Sequence, residues 1–141
     1  MWKYDEQSVD KLRKVLSFLE NKYGFSLRIE EPRYYYYETA ECEVLALFEI
    51  HKVYVAVGPI GETKAKLLRS GTRGGRIDVK IVSQCLDPNY TFESVPWDAK
   101  VDIEKELEEY ARLLKKYCNK MLRGDFSQWS SIRECLEKRE N

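Results

Sequence analysis

One histidine, His51, and four cysteines, Cys42, Cys85, Cys118 and Cys135, are the groups in this 141-residue chain best suited to covalent chemistry. A thiol activated by imidazole needs both side chains within hydrogen-bond reach of each other. Cys42 begins an alternating segment whose far end carries His51 at an expected hairpin tip, so strand geometry holds the two apart. No two cysteines form a CxxC pair, and the clustered Cys and His spacing of a zinc site is missing from the sequence. Neither a catalytic residue nor a metal ligand is therefore assigned. The opening stretch MWKYDEQSVD has no apolar leader core, so the cysteines are expected to be reduced, partly buried thiols of a cytoplasmic protein.

Two other groupings could carry chemistry. Glu30, Glu31, Glu38, Glu41, Glu43 and Glu49 surround the tyrosine run Tyr34 to Tyr37. Paired carboxylates hydrolyse glycosides when correctly spaced, but surface glutamates are so common that their number singles out no pair. The stretch SGTRGGR, residues 70–76, exposes glycine amides that suit phosphate. It matches neither the P-loop nor the dinucleotide fingerprint, and no cofactor is implied. Between Glu62 and Arg76 stand five basic residues, Lys64, Lys66, Arg69, Arg73 and Arg76, against one acid. That patch suits an acidic partner. The loop has no aromatic residue on which a base could stack, which argues against RNA. The chain as a whole carries 24 basic and 24 acidic residues, so it lacks the excess positive charge of a nucleic-acid-binding domain. No apolar run approaches the roughly 20 residues that span a bilayer.

The elements that must position these groups are legible from periodicity. Val9, Leu12, Val15, Leu16 and Leu19 make the apolar stripe of a helix from about Glu6 to Lys22, with Gly24 as its left-handed stop. Phe25, Leu27 and Ile29 alternate as a strand, and Pro32 places that strand at a sheet edge or on a bulge. Cys42, Val44, Ala46, Phe48 and Ile50 alternate on one side of the next strand, and Val53, Val55 and Val57 on the following one. The connection between these two is too short for a crossover, so they pair antiparallel. Ile77, Val79 and Ile81 resume the alternation as a further strand. Ile103, Leu107, Tyr110, Ala111, Leu114, Tyr117, Cys118 and Met121 trace a long helix with glutamates at its start and lysines at its end, and Glu108 stands four residues before Arg112. Arg-Gly-Asp at 123–125 invites an adhesion reading, but stop, turn and cap explain it. Gly124 ends the long helix and Asp125 caps a last one, with Gln128 as its capping-box partner.

The expected architecture is one α+β domain over residues 1–141: an antiparallel sheet of about four strands, an N-terminal helix and a C-terminal helix pair. If helices cover only one sheet face, the other carries Glu43, Leu45, Leu47 and Glu49, with alternate tyrosines, Tyr35 and Tyr37, and Glu41 beside them. Leucine and tyrosine ringed by glutamate suit protein binding, since tyrosine offers large contact area at low entropy cost. The basic loop residues Lys64, Lys66, Arg69 and Arg73 form a second candidate surface.

Tyr23-Gly24-Phe25 near the start and Leu122-Arg123-Gly124-Asp125-Phe126 with Trp129 near the end follow a recurring pattern. In it a helix ends in Tyr-Gly-Phe, a short antiparallel sheet follows, and a second helix runs into Leu-Arg-Gly-Asp-Phe. These flanks resemble the small bacterial immunity proteins of polymorphic-toxin and contact-dependent growth inhibition systems. The resemblance implies a non-catalytic protein that binds a cognate toxin domain in the cytoplasm and occludes its active site. Because many such toxin domains are basic nucleases, the glutamate–tyrosine face is the first choice of interface and the basic loop from Lys64 to Arg76 the second. An adaptor for RNA or protein acting through the basic loop, and a small hydrolase, are the alternatives.

Overall fold

A computed structural model describes residues 6–31, 33–49, 52–61, 72–73, 75–92 and 101–140, with the side chains of Thr72, Arg73 and Glu140 excepted. The order is α1 (Glu6–Val15), α2 (Ser17–Asn21), β1 (Ser26–Glu30), β2 (Tyr34–Glu38), β3 (Cys42–Glu49), β4 (Lys52–Pro59), β5 (Thr72–Arg73), β6 (Arg76–Asp78), α3 (Val79–Leu86), α4 (Ile103–Tyr117), α5 (Asn119–Leu122) and α6 (Trp129–Glu140). The strands form one antiparallel sheet in the order β1-β2-β3-β4-β6-β5. The fold is therefore α+β.

The expected single N-terminal helix is interrupted at Leu16, but its apolar stripe survives the break. Leu12, Leu16 and Leu19 are fully buried, each contributing about 2 kcal/mol of burial. Gly24 ends the helix at φ +74°. The Gly24 amide donates to the Glu20 carbonyl at 3.2 Å, the bond of an αL cap, and the Phe25 amide donates to the Leu19 carbonyl at 2.9 Å.

Six strands replace the four expected, for two reasons. The expected strand through Pro32 is two strands, β1 and β2, and Pro32 itself lies outside the described residues. Glu31 leaves the extended conformation at φ +48°, and its carbonyl accepts from the Tyr34 amide at 3.2 Å. Near the other end of the sheet, Gly75 at φ +85° turns β5 into β6. The expected strand through Val79 and Ile81 is mostly helix. Asp78 accepts from the Lys80 amide at 2.8 Å and caps α3. Val79, Val82 and Ser83 then bury a stripe of helical spacing that coexisted in the sequence with the alternation. The β3–β4 hairpin forms as expected, with Glu49 opposite Lys52; its tip, residues 50 and 51, lies outside the described residues.

Register assigns the faces. Leu27, Ile29, Tyr35, Tyr37, Cys42, Val44, Ala46, Phe48, Val53, Val55, Val57 and Ile77 share one face. Apart from Leu27, which is partly buried, and Ile29, which is exposed at the edge, these residues form a single core with the helices. Leu107, Tyr110, Leu113 and Leu114 of α4 supply the largest share of the helical side. Asp102 caps that helix through the Lys105 amide at 3.2 Å. The expected Glu108–Arg112 pair is replaced by Glu109, which takes two hydrogen bonds from Arg112 at 2.7 and 2.9 Å.

Gly124, at φ +91°, is the expected stop, with the Asp125 amide donating to the Lys120 carbonyl at 2.9 Å. Asp125 does not cap α6. Its carboxylate accepts from the Ser127 amide at 2.9 Å and orders the turn before the helix, which begins at Trp129. That hydrogen bond also holds the carboxyl below its ordinary range.

One cysteine expectation is overturned. Cys85 and Cys135 are joined in a disulfide, with Cα atoms 5.9 Å apart, tying the end of α3 to α6. Helix packing brings together two residues that sequence distance gave no reason to pair. Cys42 and Cys118 are free and buried. Burial pushes the Cys118 thiol up to about 12 and raises that of Cys42 further still. No helix among the described residues is long and apolar enough to cross a membrane.

Candidate functional site

The second sheet face carries Arg28 and Glu30 of β1, Tyr34, Tyr36 and Glu38 of β2, Glu43, Leu45 and Leu47 of β3, Tyr54 and Gly58 of β4, and Arg76 of β6. None of these residues belongs to the core shared with the helices. The face is built around Tyr36. Its ring stacks with that of Tyr34, centroids 6.4 Å apart and planes inclined by 12°. The Arg28 guanidinium lies 4.3 Å from the Tyr36 centroid and that of Arg76 lies 5.4 Å from it, while Arg33 stands 5.2 Å over Tyr34. Guanidinium groups at these distances are attracted by the aromatic quadrupole and hold the rings in place.

Carboxylates complete the array. Arg28 pairs with Glu38 at 2.7 Å and also with Glu30. Arg76 reaches from β6 to β3 and pairs with Glu43 through both Nε and Nη2. The Arg76 and Glu43 side chains are only 13% and 5% exposed. Burial raises the Glu43 carboxyl above its ordinary value, and Arg76 opposes that shift. Gly58 makes the approach possible. A Cβ there would lie 2.5 Å from the Gly75 carbonyl oxygen and 3.2 Å from the Arg76 Cα. Only a residue without a side chain lets the β5–β6 turn come down onto the sheet.

This arrangement corrects the expected surface. Tyr35 and Tyr37 are 2% and 0% exposed and belong to the helix-packed core, opposite Ala46 and Val44. The β1–β2 turn spans three residues, 31–33, so Tyr35 and Tyr37 fall on the face of Ile29 and Leu27. Leu45 and Leu47 do lie on the second face but are 3% and 1% exposed, flanked by Tyr36 and Ala56 and by Tyr34 and Tyr54. Glu43 is likewise buried, through Arg76. Glu49 is half-buried beside Lys52. Glu41 is exposed, and its side chain packs near Gly124, where an added Cβ would meet Glu41 Cγ at 3.3 Å. Tyr34, Tyr36 and Glu38, each half-buried, and the more open Arg28 and Glu30 form the accessible platform. Arg28, Tyr34, Tyr36 and Arg76 were not chosen from sequence. Arg76 was visible only as part of the basic patch; its pairing with Glu43 had no local signal, because that partner lies 33 residues away.

Lys64, Lys66, Arg69 and His51 lie outside the described residues, and Arg73 is described only as backbone in β5. Among the described residues no group of three or more His, Cys, Asp or Glu could hold a metal ion.

A separate polar cluster joins α3 to α4. Lys80 Nζ bridges both Glu106 oxygens at 3.0 and 2.9 Å and lies 5.0 Å from the Tyr110 centroid. Burial raises the Asp78 carboxyl to about 6, against the opposing pull of the Lys80 amide and ammonium and the Tyr110 hydroxyl. Tyr117 donates to Asp87 at 2.6 Å, which raises its own hydroxyl and lowers the Asp87 carboxyl. These contacts fix α3, and with it β6, against α4.

The two motif segments at the chain's ends also meet. The Tyr23 hydroxyl donates to Asn119 Oδ1 at 2.5 Å, and the Arg123 guanidinium stands 5.2 Å from the Tyr23 centroid. Tyr-Gly-Phe and Leu-Arg-Gly-Asp-Phe are thus two halves of one joint. With fold and site described, the class is an α+β domain with a helix-packed core on one sheet face and a Tyr–Arg–Glu array on the other. No protein-family model, curated protein or solved structure matches the chain.

Proposed function

We propose that this protein is a non-catalytic immunity protein that binds a cognate toxin domain in the cytoplasm and occludes it. The observation that carries the reading is the platform of Tyr34, Tyr36, Arg28 and Glu38. Its rings and guanidiniums are held in position by stacking and ion pairs before any partner arrives. Such pre-ordering lowers the entropy cost of binding, and Tyr and Arg are the residue types that most often dominate interface energetics. The toxin partner rests on the resemblance of the flanking motifs, which the joint of Tyr23 with Asn119 and Arg123 brings together in this fold.

The structure changes the expected electrostatics. Glu30 and Glu38 are paired with Arg28, and Glu43 with Arg76, so two guanidiniums offset most of the charge of three carboxylates and the face is not the strongly acidic one expected. Recognition then rests on aromatic area and on paired charges at fixed positions. The Cys85–Cys135 bridge pulls against a cytoplasmic site, since thiol pools there keep most cysteines reduced. Alkylation of thiols in intact cells decides that point.

The reading expects the neighbouring gene to encode a large secreted protein with a toxic C-terminal domain. Co-expression of that domain with this chain should restore growth and yield a complex of near-equal stoichiometry. Hydrogen exchange in the complex should slow at Tyr34–Glu38. A toxic domain that still kills in the presence of folded protein, or a footprint confined to other surfaces, would overturn the proposal.

A further inference from the structure

β1 is an edge of the sheet, and among the described residues no strand pairs with its outer side. It carries Ile29, 48% exposed and the one large apolar side chain that stands open among the described residues. Arg28 and Glu30 flank it on the opposite face, with side chains 50% and 56% exposed. An edge strand presents unpaired backbone amides and carbonyls and is a template for another strand unless it is blocked.

We propose that β1 pairs antiparallel with β1 of a second copy of this chain, with Ile29 on the two-fold axis. The occupant follows from self-complementarity. A two-fold axis perpendicular to the sheet keeps both helix layers on one side, so residues facing each other must come from the same face. With Ile29 opposite Ile29, each Arg28 stands opposite the other copy's Glu30, making two Arg–Glu pairs around an apolar centre. Shifting the axis to Arg28 sets guanidinium against guanidinium, and shifting it to Glu30 sets carboxylate against carboxylate. Moving it to Leu27 puts Arg28 opposite Ser26 and carries Ile29 past the end of the strand. Arg28 already pairs on this face with the carboxylates of Glu30 and Glu38 within its own chain. The ladder is short, because Glu31 turns out of the extended conformation at φ +48°, so the dimer is a weak one. Its geometry sets the two Tyr34–Tyr36 platforms side by side on one continuous sheet.

Sedimentation of the purified chain between about 5 µM and about 1 mM tests this, since mass action favours the dimer as concentration rises. The weight-average mass should climb from 16.7 kDa toward twice that value. Ile29→Lys should stay monomeric throughout, with its thermal melt unchanged. R28E alone and E30R alone should each stay monomeric, because each sets like charges in opposition. A mixture of the two should dimerise, because one chain then offers two carboxylates and the other two guanidiniums. That rescue shows that both variants fold. A wild-type chain that remains at 16.7 kDa shows that the charged edge blocks pairing and overturns the proposal. So does association that survives Ile29→Lys, or a mixture that fails to pair while the wild type does.

Discussion

Removing the Cys85–Cys135 bridge should cost a calculable amount of stability while leaving the fold intact. The bridge closes a loop of 50 residues. In the chain-entropy treatment, freeing a loop of this length returns about 14 cal/mol/K to the unfolded ensemble, or about 4 kcal/mol at 25 °C. The native state should survive, because Trp129, Ile132 and Leu136 bury the stripe of α6 without help from the bridge. At roughly 2–4 °C per kcal/mol for a domain near this size, the melting temperature should fall by about 10–15 °C. The assay is a thermal melt of the oxidised protein with and without dithiothreitol, beside Cys135→Ser under both conditions. Reduced wild type and Cys135→Ser should melt together, and the variant should ignore the reductant. Thiol titration in denaturant should find Cys42 and Cys118 reactive before reduction and all four cysteines after it. A melt unmoved by reductant, when titration shows the bridge broken, would refute the entropic argument. Four reactive thiols in protein prepared without reductant would refute the bridge itself.

The remaining predictions concern the array and its supports. Gly58→Ala should destabilise by about 1–3 kcal/mol in chemical denaturation, because the new methyl meets the Gly75 carbonyl at 2.5 Å. Glu43→Gln should cost about 3 kcal/mol by leaving the Arg76 guanidinium buried without its counter-charge, and the apolar double variant Glu43→Leu/Arg76→Met should recover most of that loss. Asp78→Asn keeps an N-cap acceptor and removes a carboxyl whose folded value, about 6, lies above its ordinary 3.8. A raised carboxyl favours the native state most where it is protonated, so wild-type stability falls relative to the variant as pH rises from about 4 to about 6. The melting-temperature difference between variant and wild type should therefore widen across that window, by the equivalent of at most about 3 kcal/mol, and a difference flat with pH would contradict the assignment to Asp78.

Local signals in the sequence carried the helices and the central hairpin. Gly24 and Gly124 stand where a left-handed residue must end a helix, and the acidic start and basic end of α4 match its dipole. The β3–β4 hairpin needed only alternation and a short connection. What sequence could not resolve were choices settled by distant partners. Val79 to Leu86 fits an alternating strand and a helical stripe equally well, and the decision fell to Asp78 as a cap and to Tyr110 and Glu106 of α4 around it. The tyrosine run reads the same in either phase, and a three-residue turn at 31–33 determined which pair faced the helices. Both faces of β3 are buried where only one was expected, because Tyr34, Tyr36 and Tyr54 flank Leu45 and Leu47 and Arg76 arrives from β6 over Gly58 to cover Glu43. The disulfide depended on the packing of α3 against α6, which no spacing encodes.

The most direct test of the binding account is a calorimetric titration of the cognate toxin domain into wild type and into the Tyr34→Ala/Tyr36→Ala variant. Both rings are half-buried and lie outside the helix-packed core, so the variant should keep its fold. Two interface tyrosines at about 2 kcal/mol each should together raise Kd roughly 1,000-fold. Equal affinity for the two proteins, with both folded, would contradict the claim that this sheet face is what the partner reads.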